Sequence, residues 1–344
     1  MSTIIAHNIG NSTTAIHFGF PIELLHKLVP QEKILLITDQ HLLDLYQEKI
    51  NQFPHIIIPT GEENKIQQSI NNIVSRLLEL NADKDTCIVG LGGGVITDMA
   101  GYVASIYKRG VRLILAPTSV LGMVDACLGG KNGINSGDYK NMIGTIYQPE
   151  AILYDLRFLK TLPQVEWVSG FAEIIKHACI ADRNMLEHLE TKTLEDFQQN
   201  EDLMEALIRR NVDIKMEIVK RDELEKHDRK LLNFGHTLGH AIERQEKIPH
   251  GHAVAIGMLF ASFVSNQLQF ITSHDLDRVA RVIRRYHLPT QYHGQSERIF
   301  DAVLQDKKRA GDGIQFVLLE SLGHGFTKSI SMTAFKDFLK SFHS

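Results

Sequence analysis

Cysteine is scarce in this 344-residue chain: Cys87, Cys127 and Cys179 are the three, far apart and odd in number. They form neither a disulfide framework nor a CxxC metal pair, and each is expected to be a small buried residue in a reducing compartment. Long apolar runs are missing as well. The richest are interrupted by Gly, Asp or Lys, so no membrane span is expected. There is no excess of positive charge; the net charge of -4 argues against a nucleic-acid-binding surface. The opening Met1-Ser2-Thr3-Ile4-Ile5-Ala6-His7 has no basic region and no long apolar segment. No secretory signal is therefore expected, and a cytoplasmic location is. No internal repeat or low-complexity linker is visible.

What is present is an ordinary globular balance, 43% apolar and 23% charged, in a chain longer than one core usually supports. Two domains are expected. Up to about residue 160, short apolar runs at 33–39, 55–59, 86–91 and 112–116 read as buried strands. Between two of them, Ile66, Ile70, Ile73, Leu77 and Leu78 follow the helical period. Strand and helix in alternation predict a parallel sheet covered by helices. Beyond that point the pattern is mostly helical, at 166–181, 202–221, 231–245, 252–270 and 276–285. A β-like run at 313–319 and a last helix near 333–342 follow. The expectation is an α/β protein: a Rossmann-like parallel-sheet domain over 1–160 and a mainly α-helical domain over 161–344.

The run Gly90-Leu91-Gly92-Gly93-Gly94-Val95-Ile96-Thr97-Asp98 leaves a predicted strand and enters a predicted helix. Consecutive glycines let the backbone approach a phosphate, and a helix start offers free N–H groups with a favourable dipole. The spacing is not GxGxxG, and a plain tight turn would use similar residues. Asp39, Gly61-Glu62-Glu63-Asn64-Lys65 and Pro117-Thr118-Ser119 end other strands. Taken singly, each could be a loop residue or a helix cap. Together they suggest one crevice along the strand ends, where a carboxylate can accept from a ribose.

Histidine is the conspicuous residue: 17 in all, five of them between His227 and His252. His236 and His240, at i and i+4, share a helical face. His250-Gly251-His252 follows, and Glu173 lies upstream. A carboxylate with two imidazoles is a usual ligand set for catalytic zinc. Five candidates are more than such a site needs, and the spacing alone leaves open which of them serve. Cations recur within the glycine-rich segments and around this cluster: Lys131, Lys140, Lys176, Lys215 and Arg229. Several converging cations suit a substrate that carries both carboxylate and phosphate.

The motif series resembles the 3-dehydroquinate synthase family. It comprises Gly92-Gly93-Gly94-Val95 with Asp98, Asp125 with Gly129-Gly130-Lys131, and Lys140-Asn141-Met142-Ile143-Gly144. Glu173 with Lys176, Asn233-Phe234-Gly235-His236, and His250-Gly251 complete it, in order. The resemblance runs from about Asp39 to Asp306-Lys307-Lys308. It implies conversion of 3-deoxy-D-arabino-heptulosonate 7-phosphate to 3-dehydroquinate and phosphate, in the shikimate pathway. The family route is transient NAD oxidation, phosphate elimination, re-reduction and intramolecular aldol cyclisation, with bound NAD and a divalent metal, zinc or cobalt.

By position, the resemblance makes Glu173, His236 and His250 the metal ligands and His240 a substrate-contacting or proton-transfer residue. Lys131, Asn141, Lys176, Lys215, Arg229, Asn233 and one of Lys307 and Lys308, of which Lys308 is taken, match substrate contacts. Arg109 matches an arginine supplied across a homodimer interface. Asp39, Glu62, Lys65, Gly93, Gly94, Val95, Asp98, Thr118, Ser119, Asp125, Lys131, Lys140, Phe158, Thr161, Leu162 and Glu166 match nucleotide-binding positions.

Three departures stand out. His252 follows Gly251 where the family usually has Glu, Ser119 replaces a second Thr, and Asp138-Tyr139 precede Lys140. The glycine motif is shared with iron-containing alcohol and glycerol dehydrogenases, so a metal-dependent dehydrogenase is one alternative reading. Another sugar-phosphate cyclase is the second, and a non-catalytic nucleotide- and metal-binding protein the third.

Overall fold

A computed structural model of the chain describes residues 3–137, 139–292, 294–307 and 313–343. It forms two compact units. The first is Met1–Leu162 with Lys215–Glu223; the second is Pro163–Ile214 with Leu224–Ser344.

The first unit runs β1 (Thr3–Ile9), β2 (Ser12–Phe18), β3 (Ile34–Asp39), α1 (Gln40–Ile50), β4 (His55–Ile58) and α2 (Gln67–Glu79). It continues with β5 (Cys87–Gly92), α3 (Gly94–Ile106), β6 (Arg112–Pro117), β7 (Lys131–Ser136), β8 (Tyr139–Ile146) and β9 (Ala151–Tyr154). Seven strands form one sheet in the order β1-β2-β9-β6-β5-β3-β4. Only β1 pairs antiparallel, with β2; the other neighbours are parallel. The four runs expected as strands are β3 to β6. β3, β5 and β6 are buried almost without a break, as a parallel sheet covered on both faces requires, while the edge strand β4 alternates. One face closes over Phe20, Leu36, Val89, Ile114, Leu153 and Phe158. The chain order reverses at β3: β4 lies on one side and β5, β6 and β9 on the other. At such a switch point the loops leaving the strands diverge, opening a crevice at their carboxyl ends. Asp39 and Gly92-Gly93 stand at those ends.

The second unit is mainly helical. It holds α4 (Gln164–Ala181), α5 (Arg183–Thr191), α6 (Leu194–Gln199) and α7 (Glu201–Arg221), whose last turns count with the first unit. Then come α8 (His236–Glu246), α9 (His250–Gln267), α10 (Ser273–Arg285), α11 (Ser296–Lys307), the hairpin β10 (Gly313–Ser321) and β11 (His324–Ser331), and α12 (Met332–His343). α4 and α9 are buried almost all round and form the centre of this unit. Phe171 of α4 stacks on Tyr286 just beyond α10, with ring centroids 4.8 Å apart. A capping box of Thr272 and Asp275 starts α10, satisfying its first N–H groups reciprocally.

Among the helix boundaries that differ from expectation, two matter for the site. The stretch 231–245 is not one helix. A 3-10 segment, Asp228–Asn233, ends before Phe234-Gly235, and α8 begins at His236. Gly235 sits at φ +81°, and a Cβ there would fall 2.8 Å from the Val254 carbonyl oxygen of α9. The break therefore lets α8 pack closely on α9. The stretch expected at 252–270 instead begins at His250, after Pro249. The glycine-rich segments around Lys131 and Lys140 form β7 and β8, which pair as an antiparallel hairpin.

All three cysteines are buried free thiols, as expected, and burial pushes each up to about 12. Among the described residues, no helix is long and apolar enough to cross a membrane.

Candidate active site

Three helices of the second unit bring Glu173, His236 and His250 together. Gly251 is packed so tightly that a Cβ on it would lie 2.4 Å from the Ser169 backbone, and its N–H donates to Ser169 Oγ at 2.9 Å. Ser169 is four residues before Glu173 on α4, so this close approach delivers His250, the first residue of α9, beside the Glu173 carboxylate. His250 Nε2 is 3.4 Å from Glu173 Oε1, and His236 Nε2 is 3.6 Å from the same oxygen. The other nitrogen of each ring is occupied. His236 Nδ1 meets the Phe234 carbonyl at 3.1 Å, and His250 Nδ1 meets Glu243 Oε2 at 3.1 Å. Both acceptors favour hydrogen on Nδ1, so that each ring in its neutral form directs its Nε2 lone pair at one point. One oxygen and two nitrogens converge there, a donor set that fits a catalytic divalent metal with positions left for substrate oxygens.

The electrostatics of the two rings differ. Burial lowers the His236 imidazole to about 3, opposed only in part by the Glu173 carboxylate. Burial also opposes charge on His250, but Glu173 and Glu243 outweigh it and raise the ring to about 9. Lys176 pairs with Glu173 Oε2, and both side chains are essentially fully buried. Of the remaining histidines, His240 is exposed, with its ring centroid 5.1 Å from that of His236 and 6.1 Å from that of His250. His252 lies about 200° round α9 from His250, at roughly 3.6 residues per turn. Among the described residues, it joins none of the groups able to hold a metal.

In the first unit, most of the predicted nucleotide-binding positions fall into two sets. Gly93, Gly94 and Val95 open α3. Gly93 caps the helix without a side chain, so no side-chain acceptor competes for its first N–H groups. Thr118 N donates to the Gly92 carbonyl at 3.0 Å, and Gly122 N donates to Ser119 Oγ at 3.1 Å, which fixes the β6 turn beside the glycine loop. Asp39 caps α1, accepting from Leu42 N at 2.9 Å. The second set is a polar network. Buried Lys65 bonds Asp98 Oδ2 at 2.5 Å and Asn141 Oδ1 at 2.6 Å. Burial raises the Asp98 carboxyl, and the Lys65 ammonium offsets part of the rise. Asn135 links Glu62 at 2.9 Å to the Asn141 backbone at 3.0 Å, and Lys140 lies 3.8 Å from Glu62.

The other predicted residues are placed as follows. Lys215 pairs with Asp125 and bonds its carbonyl at 2.6 Å. Asn233 Nδ2 donates to Glu225 Oε1 at 2.7 Å, and Arg229 is buried. Phe158 belongs to the core face and meets Tyr46 edge-on, while Thr161 Oγ1 bonds the Tyr46 hydroxyl at 2.7 Å. Lys131, Arg109 and Glu166 are exposed, and Leu162 is half-buried. Lys308 lies outside the described residues. Sequence reasoning missed Glu243, Glu225 and Asn135. Glu243 had a readable signal: it follows His236 by seven residues and His240 by three, on the same face of α8.

Known proteins with this pattern supply the rest. Residues 55–169 match the model of the 3-dehydroquinate synthase N-terminal region, and residues 170–309 match that of the C-terminal region. A 3-dehydroquinate synthase from Sulfurovum sp. (strain NBC37-1) is 37% identical over 341 residues, 96% of each chain. The chain belongs to the 3-dehydroquinate synthase family. Among solved structures, a 2-deoxy-scyllo-inosose synthase complexed with carbaglucose-6-phosphate, NAD+ and Co2+ is 25% identical. It superposes with a TM-score of 0.87, covering 98% of this chain and 100% of that one. A 2-epi-5-epi-valiolone synthase from Streptomyces hygroscopicus, with NAD+ and Zn2+ bound, is similar at 24% identity and a TM-score of 0.87, covering 99% of each chain. That likeness supports the fold alone.

Proposed function

We propose that this chain is a 3-dehydroquinate synthase, a phosphate-eliminating carbon–oxygen lyase that converts 3-deoxy-D-arabino-heptulosonate 7-phosphate to 3-dehydroquinate and phosphate. The observation that carries the reading is the convergence of Glu173, His236 and His250 on one point in a chain of this family. Bound NAD supplies a hydride acceptor that is regenerated within each turnover, and a bound divalent metal, zinc or cobalt, supplies a Lewis acid.

The chain's own residues do the rest. Glu173 Oε1 and the two Nε2 atoms hold the metal, with Nδ1 of each ring tied so that the lone pairs stay aimed. Asp39, the α3 N-terminus at Gly93, Gly94 and Val95, and the Thr118-Ser119 turn bind the nucleotide. The switch-point position of these residues supports that assignment. Glu62, Lys65, Asp98, Asp125, Lys140, Phe158, Thr161, Leu162 and Glu166 complete or support that site. Lys131, Asn141, Lys176, Lys215, Arg229 and Asn233 orient the carboxylate and phosphate of the substrate, so that ring closure is intramolecular. His240, exposed beside both metal-binding rings, contacts substrate or moves a proton. Residues 1–160 act as the nucleotide-binding domain and 161–344 as the metal- and substrate-binding domain.

The enzyme is cytoplasmic and works as a homodimer in this reading. Exposed Ile106, Tyr139, Met142, Ile143 and Ile146 support the dimer, and Arg109 is exposed close to Ile106 in sequence.

The test is phosphate release by the purified protein from the heptulosonate phosphate, before and after chelation. Phosphate with 3-dehydroquinate, loss of both on chelation and recovery with zinc or cobalt are expected. Turnover unaffected by thorough metal removal would contradict the reading.

A further inference from the structure

The two metal-binding imidazoles are anchored differently. His236 relies on the main-chain carbonyl of Phe234. His250 relies on a side chain, the carboxylate of Glu243, which is itself buried on α8 and makes its contact at 3.1 Å. A buried carboxylate is kept where its contacts offset the cost of desolvation, and the His250 ring is one of those contacts. The geometry of that contact bears on the ring's tautomer. A neutral imidazole carries hydrogen on one nitrogen only, and an ionised carboxylate can only accept. With Glu243 facing Nδ1, the Nδ1–H form of His250 is favoured and the ring plane is held. Nε2 then keeps its lone pair toward Glu173 Oε1, 3.4 Å away.

We propose that Glu243 is a positioning residue of the metal site: it fixes the tautomer and orientation of His250 without touching the metal. The proposal rests on the reading that Glu173, His236 and His250 hold the ion. A different role is geometrically available to the same carboxylate. His240, Glu243 and His250 also lie close enough to hold an ion of their own. In that case Glu243 would be a ligand of a second metal and would not be a positioning residue.

Metal-free protein is titrated with Zn2+ against a chromophoric chelator, comparing the unaltered chain with Glu243→Gln, Glu243→Ala and His236→Ala. The unaltered chain is expected to bind one equivalent. Glu243→Ala should weaken binding about 10- to 100-fold, and Glu243→Gln, which keeps an acceptor oxygen, by less. In the zinc-loaded unaltered protein, 15N spectra of the imidazoles should find His250 bound through Nε2 with hydrogen on Nδ1. This measurement stands even if Glu243→Ala does not fold. Unchanged affinity in a folded Glu243→Ala, or His250 bound through Nδ1, would overturn the proposal. So would two equivalents in the unaltered chain with one lost in Glu243→Ala. The underlying reading fails separately, if His236→Ala keeps full affinity.

Discussion

Glu173 and Lys176 illustrate what the single residue contributes. One turn apart on α4 and both buried, they form an ion pair whose members would each be costly alone. Glu173→Gln removes the carboxylate charge proposed to hold the metal and also leaves the Lys176 ammonium buried beside a neutral amide. The metal-free variant is expected to lose about 3 kcal/mol of stability, read as a lowered midpoint in urea, and to bind no zinc at stoichiometric concentration. A metal-free midpoint equal to that of the parent would mean that Lys176 does not depend on this carboxylate. Much of the residue-scale pattern was legible. Glu173, His236, His240 and His250 stood out by type and spacing, and His236 and His240 do share α8. The spacing could not choose among the five candidates, because that choice depends on how α4, α8 and α9 pack. The same packing turns His252 away and brings in Glu243, which reads in isolation as an ordinary helix-surface carboxylate.

The packing of whole elements explains both where the sequence spoke and where it was silent. Buried strands β3 to β6 announce themselves as continuous apolar runs. β7, Lys131-Asn132-Gly133-Ile134-Asn135-Ser136, has almost none of that character. It becomes a strand by pairing with β8, and Asn132 Nδ2 ties the hairpin base to the Gly130 and Tyr147 carbonyls at 2.7 and 3.0 Å. The start of α8 was hidden because apolar periodicity continues through Leu231 and Leu232, while the left-handed turn at Gly235 interrupts the helix. Helix contact also makes a prediction. Gly251→Ala would drive a methyl into the Ser169 backbone at 2.4 Å and force α9 away from α4. Overpacking of this kind costs about 1–3 kcal/mol, and here it should also draw His250 away from Glu173. Both a lower melting temperature and weaker zinc binding are expected. A variant that melts like the parent and binds zinc as tightly would refute this account of how α9 is seated.

At the scale of the whole molecule, the alternation of strand and helix followed by a helical half made the fold class legible. A single cut near residue 160 does not express the last turns of α7, which count with the first unit. Long-range returns of this sort leave no local mark in a sequence. The division also bears on what metal removal does. All three metal ligands proposed lie in the second unit. A ligand held at about 100 times its dissociation constant stabilises the unit that binds it by about 2.7 kcal/mol. Chelation should therefore speed amide exchange in α4, α8 and α9 and leave β3, β5 and β6 protected as before. Equal loss in both sets, or none in the helices, would place the metal elsewhere.

A 3-dehydroquinate synthase cyclises a phosphorylated sugar acid and ends each turnover with its nicotinamide cofactor oxidised. Phosphate, 3-dehydroquinate and the nicotinamide absorbance followed together, in one reaction with the heptulosonate phosphate and excess NAD, test it most directly. Phosphate and 3-dehydroquinate in equal amounts with no accumulation of NADH are expected; NADH rising in step with substrate consumed, without phosphate, would contradict the proposed function and identify a dehydrogenase.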